Sequence, residues 1–208
     1  MSKPKLYIDF DNTMVNSCKR IVDMYNEDFM TYDGFRPINY MNVTSWEFKE
    51  CNLATRDQIN WYFNTPRFFE KIECMEYLVP VLSELSYKFD FVIVSHGNKP
   101  NLRLKELWLD RNFNTFIGGF EDGKINHANV KFIGVDWEKY SDKSHIDMSD
   151  GIFIDDSTTN LRTSNAKHKI LFGEQKGWNK DSKGEFVRCE NWLDVYVGIA
   201  RFQSLWKE

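Results

Sequence analysis

The chain has 208 residues and a formal net charge of −4, and 42% of its residues are hydrophobic and 16% aromatic. This composition supports a packed core and excludes an extensively disordered protein. The basic residues are dispersed along the sequence rather than concentrated. Stable binding of nucleic acid requires a concentrated basic surface, so the composition disfavours that class of function.

The sequence also indicates the compartment of the protein. Lys5 already belongs to the first predicted strand, which leaves no room for a signal peptide, and no apolar run is long enough to span a bilayer. Reduced thiols are favoured over zinc ligands or disulfides, because the four cysteines are widely spaced and form no Cys-x-x-Cys pair. They are Cys18, Cys51, Cys74 and Cys189. We therefore expect a cytoplasmic protein with no membrane contact.

The first predicted strand ends in a pair of acids. The apolar run that stops at Ile8 is followed by Asp9 and Asp11, with Phe10 between them. Strand alternation directs the two carboxylates to the same side, where their repulsion is costly unless a cation or a shared proton separates the charges. A solvated turn is the alternative explanation of this pair. The spacing of the apolar residues then predicts a helix from Met14 to Met30.

Residues 31–72 are predicted to form an inserted, mainly helical segment. The run is rich in aromatic residues, and only Ala54–Phe63 has helical character. Most of the aromatic side chains are expected to form the core of this segment. A minority can face the acids and stack on a flat ligand, and the best candidates are Trp46, Phe68 and Phe69.

The rest of the chain alternates between helices and buried strands. Helices are predicted over Met75–Tyr87 and Pro100–Asp110, from Thr158, and over Trp192–Trp206. Strands are predicted over Phe91–Val94, Gly151–Ile154 and Lys169–Phe172, with short strand-like pieces over 113–135 and a turn at Asp122-Gly123. The alternation predicts an α/β fold with a doubly wound, mostly parallel sheet. Residues 1–30 and 73–208 would form the core, and 31–72 a small cap inserted after the first strand–helix unit.

A second pair of acids makes a functional site more probable than a chance surface. Asp155 and Asp156 follow the apolar run Gly151–Ile154, so that two strands of one small domain end in carboxylates. In open α/β sheets, ligands bind at the carboxyl ends of the strands. Four acids gathered there would offer hard oxygen ligands to a cation of the size of Mg²⁺.

Four motifs in this order resemble those of the haloacid dehalogenase (HAD) superfamily of phosphohydrolases. They are Asp9-Phe-Asp11-Asn-Thr13, Ser95 after Phe91-Val-Ile-Val, Lys143, and Asp155-Asp156. The chain is also similar to the 5′(3′)-deoxyribonucleotidase family, through Asp142-Lys143, Arg67-Phe-Phe-Glu70, and Ser95 with Lys99 just beyond it. The polar run Ser157-Thr158-Thr159 after the second acid pair departs from the pattern of that family.

The resemblance implies a HAD-type, Rossmann-like core and a Mg²⁺-dependent phosphomonoesterase that acts on deoxyribonucleoside monophosphates. Asp9 would be the nucleophile that forms an aspartyl-phosphate, and Asp11 the general acid and base. Mg²⁺ would be bound by Asp9, by Asp11 through its backbone carbonyl, and by Asp155 or Asp156. Phosphate would be bound by Ser95, His96, Thr13 and Lys143, and the rest of the nucleotide by Trp46, Phe68, Phe69 and Lys99.

Alternatives remain at the level of the sequence. Ser95 could cap the helix near Pro100, and Lys131 or Lys124 could replace Lys143. In the loop Gly173–Gly184, Lys176 and Trp178 could contact the substrate, although the sequence disfavours that contact. The enzyme could act on a nucleic-acid 3′-phosphate or a small metabolite phosphate, or the chain could be a catalytically silent binding module. The sequence leaves open the base, the sugar, and whether the chain is a monomer or a homodimer.

Overall fold

The computed structural model describes residues 3–204, apart from positions 117, 122–123, 128–129 and 182, and only the backbone within 113–129 and at 203–204. The predicted turn at Asp122-Gly123 and the predicted helix end at Trp206 lie outside the described residues. Within the described part, no helix has the length and apolar character that a membrane crossing requires.

A parallel sheet of six strands forms the centre of the described structure, in the order β5-β2-β1-β6-β7-β8. Its strands are β1 (Lys5–Ile8), β2 (Asp90–Gly97), β5 (Val130–Asp136), β6 (Gly151–Asp155), β7 (His168–Phe172) and β8 (Val187–Cys189). The strands β3 (Gly118–Glu121) and β4 (Lys124–His127) form a separate antiparallel hairpin. Ile8 at the end of β1 lies opposite Ile93 of β2 and Ile154 of β6. This register places the ends of the three central strands side by side.

Both faces of the sheet are covered, as expected for a doubly wound fold. Leu6 and Ile8 of β1 contribute to the larger apolar core, whereas Tyr7 contributes to a smaller one with Val94 and Phe153. Alternate residues of one strand therefore pack on opposite faces. The helices that follow strands or return to them are α1 (Ser17–Phe29), α4 (Leu78–Leu85), α5 (Lys99–Phe116), α6 (Thr158–Thr163) and α7 (Trp192–Ser204).

The inserted segment contains the helices α2 (Arg56–Phe63) and α3 (Pro66–Glu70). Thr55 begins α2 with a capping box, in which its hydroxyl accepts from the backbone N–H of Gln58 while the Gln58 side chain accepts from the backbone N–H of Thr55. The buried aromatic side chains of the segment belong to the same continuous core as the larger face of the sheet. The boundaries of the predicted cap, at 31 and 72, therefore stay a prediction.

The predicted fold class is confirmed by the parallel sheet with its flanking helices. Individual elements differ from prediction. The helix predicted from Met14 begins at Ser17, because residues 10–15 form a turn that bonds to the chain near Met75, whose N–H donates to the carbonyl of Met14 (2.8 Å). Helix α5 extends beyond Asp110, and the short strand β8 is not predicted at all.

Candidate active site

The carboxyl ends of the central strands bring the sequence motifs together. Asp9 directly follows β1, and its N–H donates to the carbonyl of Ile154 in β6 (2.9 Å). Asp155 is the last residue of β6, and Ser95 lies near the end of β2. Because these strands are parallel neighbours, three motifs that are far apart in sequence converge at one edge of the sheet.

A tight turn after β1 orients the first acid pair. Asn12 has a left-handed backbone (φ 52°), a conformation that Asn tolerates better than most residues. Its side-chain oxygen accepts from the backbone N–H of Cys18 (2.9 Å), which fastens the turn to α1. Asp11 accepts from the hydroxyl of Ser17 (2.6 Å) at the start of that helix. The turn thus directs the carboxylate of Asp11 to different partners from those of Asp9.

Asp9, Asp155 and Asp156 form a buried acid cluster. One carboxylate oxygen from each lies within 4.8 Å of the others. Burial raises the pKa of Asp9 to about 7, although the ammonium of Lys143 opposes the shift. Burial and repulsion from Asp9 and Asp155 also raise the pKa of Asp156. Three clustered carboxylate oxygens that are costly to ionise without a counter-charge fit a hard divalent cation such as Mg²⁺. Asp11, predicted to bind the metal through its backbone carbonyl, does not contribute its carboxylate to this cluster.

Lys143 is fully buried between two of the acids. Its ammonium donates to Asp9 and to Asp155 (2.7 Å to Oδ2). Burial acts to lower the pKa of Lys143, but the carboxylates of Asp155 and Asp9 raise it by more than burial lowers it. The net shift is upward, so the side chain stays charged. Of the alternative lysines, Lys131 is exposed on β5. The side chain of Lys124 is not described.

Lys105 is a second buried cation at the site, and it is not predicted from sequence. Its side chain is 1% exposed. Its ammonium donates to the carboxylate of Asp11, to the hydroxyl of Ser95 (2.8 Å) and to the carbonyl of His96 (3.3 Å). The sequence contains one signal for it. Lys105 stands on the apolar stripe of α5, between the buried Leu102 and Leu109, where an unpartnered charge would be unfavourable.

The polar residues after the second acid pair hold Asp155 in place. The backbone N–H of Ser157 donates to Asp155 (2.7 Å), and the side-chain amide of Asn160 donates to both oxygens of the same carboxylate (3.3 and 3.1 Å). Ser157 also caps α6, since its hydroxyl accepts from the backbone N–H of Asn160 (3.4 Å). The departure from the family pattern at Ser157 therefore has a structural role here.

The acids open into a cavity of about 400 Å³ between the sheet edge and the inserted segment. The sheet side provides titratable groups to its lining, and these are Asp9, Asp11, His96, Lys105, Lys143 and Asp156. The inserted segment provides two aromatic rings and three polar side chains, which are Trp46, Phe63, Arg56, Asn60 and Asn64. Asp156 also lines a second cavity, of about 270 Å³, together with Lys176 and Trp178.

The residues predicted to bind the nucleotide are distributed unevenly around this cavity. Trp46 lines it. Phe68 is fully buried in the core, and Phe69 packs against Phe68 and Phe10, with ring centroids 4.9 and 6.4 Å apart. Lys99 is exposed at the start of α5. The structure therefore brings neither phenylalanine nor Lys99 to the cavity lining. The lining instead includes four residues that are not predicted, which are Arg56, Asn60, Phe63 and Asn64.

Of the residues predicted to bind phosphate, Lys143 contacts the acids directly, and the other three differ in their surroundings. Ser95 is buried and accepts from Lys105. His96 lines the cavity, and its Nε2 is hydrogen-bonded to the carbonyl of Tyr140 (2.8 Å). The hydroxyl of Thr13 is buried without a hydrogen-bond partner among the described residues.

Comparison with known proteins identifies the family. Residues 3–204 match the family model described as "5′ nucleotidase, deoxy (Pyrimidine), cytosolic type C protein". The chain belongs to this family. A curated relative, the 5′(3′)-deoxyribonucleotidase of Clostridium acetobutylicum, is 26% identical over 197 residues, which cover 94% of each chain. The predicted resemblance to the deoxyribonucleotidase family is confirmed, and the chain is a phosphatase.

Solved structures of low sequence identity share the fold. A predicted phosphatase from Clostridium acetobutylicum superposes with a TM-score of 0.60 at 13% identity, covering 97% of this chain and 100% of its own. A HAD-hydrolase from Bacillus subtilis bound to magnesium has a TM-score of 0.54 at 14% identity, covering 96% of this chain and 99% of its own. At these identities the likeness establishes the fold alone.

Proposed function

We propose that this chain is a Mg²⁺-dependent 5′-nucleotidase that hydrolyses deoxyribonucleoside monophosphates to nucleoside and phosphate through an aspartyl-phosphate. One observation carries the proposal. Asp9 and Asp11 are each paired with a different buried lysine, and all four side chains line one cavity together with Asp156. The family description and the name of the clostridial relative support the choice of a deoxynucleotide.

Asp9, Asp155 and Asp156 would hold the cation, because they are the acids whose oxygens cluster. The magnesium bound by the Bacillus subtilis HAD-hydrolase supports the identity of the ion. Bound Mg²⁺ would neutralise charge on the phosphoryl oxygens and so reduce their repulsion of a carboxylate nucleophile.

The lysines would bind the transferred phosphoryl group. The Lys143 ammonium lies beside Asp9, and the Lys105 ammonium lies beside the Ser95 hydroxyl, so phosphoryl oxygens near Asp9 would meet cationic donors from two elements. Charge-assisted hydrogen bonds of this kind stabilise the charge that develops in the transition state. The buried, unpartnered hydroxyl of Thr13, four positions after Asp9 in sequence, is a further candidate donor.

The reaction would then proceed in two displacements. A carboxylate oxygen of Asp9 forms a bond to phosphorus while the bond between phosphorus and the 5′-oxygen breaks, and Asp11 gives its proton to the leaving alkoxide. Water next attacks phosphorus and transfers a proton to Asp11. The bond between the Asp9 oxygen and phosphorus breaks, so that phosphate is released and the Asp9 carboxylate is restored.

Lys105 has a part in this cycle. A phosphoryl group near Ser95 offers its ammonium a second anionic partner, which loosens its pairing with Asp11 and allows Asp11 to exchange a proton.

The nucleoside would occupy the side of the cavity formed by the inserted segment. Trp46 and Phe63 provide ring faces suited to a base. Asn60 on α2 and Asn64, which caps the end of that helix, provide amides that can hydrogen-bond the polar edge of the base. The volume of about 400 Å³ is within the range of small-molecule sites.

A cytoplasmic location is part of the proposal. It is supported by the four cysteines, which all lie in the described part of the chain and are all free.

The proposal is tested by the release of inorganic phosphate from a panel of esters in the presence of Mg²⁺. The panel contains deoxyribonucleoside and ribonucleoside 5′-monophosphates, the corresponding 3′-monophosphates, sugar phosphates and a 3′-phosphorylated oligonucleotide. We expect the highest kcat/KM for deoxyribonucleoside monophosphates. Equal turnover of sugar phosphates would reject the nucleotide substrate, and turnover of no ester at all would reject the enzyme.

A further inference from the structure

The loop between β7 and β8 connects the acid cluster to the inserted segment. Within it, Gly177–Asn179 forms a single helical turn. The indole N–H of Trp178 donates to Oδ2 of Asp156 (2.7 Å). The ring of Trp178 packs on that of Trp46, with centroids 5.3 Å apart and planes inclined by 43°. One side chain therefore contacts both a carboxylate of the cluster and an aromatic ring that lines the cavity.

Two neighbouring residues of the same loop also contact the inserted segment. The ammonium of Lys176 donates to the carbonyl of Met41 (2.6 Å). A Cβ atom at Gly177 would lie 2.3 Å from the carbonyl oxygen of Thr44, closer than any side chain allows. Only glycine permits this approach of the two chains. The loop and the inserted segment are therefore fitted to each other at the two residues before Trp178.

Asn179 and Arg188 fix the conformation of the loop around Trp178. Asn179 is buried, and its side chain donates to the carbonyl of Glu174 (2.8 Å) and accepts from the N–H of Lys176 (2.6 Å). Arg188 of β8 donates to the carbonyls of Asn179 (2.6 Å) and Gly173 (2.8 Å). These bonds limit the positions that the indole of Trp178 can take.

We propose that Trp178 is a positioning residue for the divalent cation, which holds the carboxylate of Asp156 in place for metal binding and is itself braced by Trp46. The inference rests on the proposed cation site of Asp9, Asp155 and Asp156. Donors that hold a metal-binding carboxylate from outside the first coordination sphere set its rotation, and their loss weakens metal affinity. Because Trp46 belongs to the inserted segment, cation affinity should depend on where that segment lies.

The test measures Mg²⁺ binding by isothermal titration calorimetry on the full chain without substrate. Trp178→Phe keeps an aromatic ring against Trp46 but removes the N–H donor, and we expect the Kd for Mg²⁺ to rise by about 10-fold. Trp61→Phe is the matched control, because Trp61 is 54% exposed on α2, and it should leave the Kd unchanged. Thermal unfolding establishes that each variant is folded.

Two further proteins keep the test decisive. A tryptophan analogue with sulfur in place of the ring nitrogen, incorporated at position 178, preserves the ring shape and should weaken Mg²⁺ binding as Trp178→Phe does. Trp46→Leu touches no acid, and we expect it to weaken Mg²⁺ binding in the same direction by less. Parent-like affinity in the analogue-containing protein would overturn the role of Trp178, and parent-like affinity in Trp46→Leu would overturn the brace. If the parent itself bound no Mg²⁺, the proposed cation site would fail together with this inference.

Discussion

Lys105 on α5 donates a hydrogen bond to the carboxylate of Asp11 in the turn after β1, 94 positions away in sequence. The pair is largely enclosed, since the lysine side chain is 1% exposed and the aspartate side chain 16%. Because Asp11 is the proposed general acid and base, loss of the ammonium beside it should lower kcat/KM.

Replacing Lys105 should therefore damage catalysis more than replacing Lys99. Lys105→Met removes the charge beside Asp11 and Ser95 but keeps an unbranched chain in the core, and we expect kcat/KM to fall by about 100-fold or more. Lys99→Met alters an exposed side chain that does not line the cavity, and a change of less than about 3-fold is expected. Steady-state phosphate release with a deoxyribonucleoside monophosphate measures both. The reverse order of effects would restore the assignment suggested by sequence.

Asp9→Asn should abolish turnover while the protein remains folded. The amide has the shape of the carboxylate but is a poor nucleophile, so we expect phosphate release to drop by at least about 10³-fold. Lys143 retains its bond to Asp155 in this variant, so its ammonium stays paired. Circular dichroism and thermal unfolding serve as the control for folding. Parent-like turnover by a folded Asp9→Asn protein would rule out the aspartyl-phosphate.

Without Mg²⁺, repulsion within the acid cluster should make the parent less stable than a variant that lacks one of the three acids. In Asp156→Asn one buried charge is removed from beside Asp9 and Asp155, while the amide oxygen can still accept from Trp178. Without Mg²⁺, we expect Tm to rise by about 2–4 °C, which corresponds to about 1 kcal/mol for a chain of this size.

With Mg²⁺ bound, the parent should become more stable than Asp156→Asn. The parent is expected to lose activity in EDTA, to regain it with Mg²⁺, and to gain about 2.7 kcal/mol of stability when Mg²⁺ is at 100 times its Kd. Asp156→Asn should gain much less. Thermal scans with and without the ion measure the effect, and an equal gain in both proteins would place the cation elsewhere.

Gly177→Ala should destabilise the protein, because the new Cβ would collide with the carbonyl oxygen of Thr44 and separate the loop from the inserted segment. A loss of about 1–3 kcal/mol in the free energy of unfolding is expected. Gly198→Ala is the control, since its Cβ in α7 would lie at an ordinary 3.4 Å from Sγ of Cys189 and alanine favours a helix by about 1 kcal/mol over glycine. The free energy of unfolding measured in urea should therefore fall in Gly177→Ala and rise in Gly198→Ala.

The parts of the site that were predictable from sequence are those carried by regular periodicity. Asp9 and Asp155 follow short apolar runs that indicate buried strands, and parallel strands end at one edge of the sheet, so the pattern predicts that both acids lie at that edge. Lys143 lies in a segment without such a pattern, and it was identified through resemblance to a family.

The parts that were not predictable depend on tertiary packing. Phe68 and Trp46 are equally aromatic in an insertion without clear periodicity, and only the packing of that segment buries the first and leaves the second at the cavity. The three residues of β8 are too few to show alternation. Lys105 interrupts an apolar stripe, but its partners lie on other elements of the sheet edge, and their proximity is not visible in a helical pattern.

The pairing of each lysine with a carboxylate has a consequence for turnover. Lys143 bridges Asp9 and Asp155, and Lys105 bridges Asp11 and Ser95. In the proposed reaction, an inorganic phosphate ion bound by these ammonium groups would compete with partners that belong to the protein itself. Each ammonium would regain its partners when phosphate leaves, and this would favour release of the product.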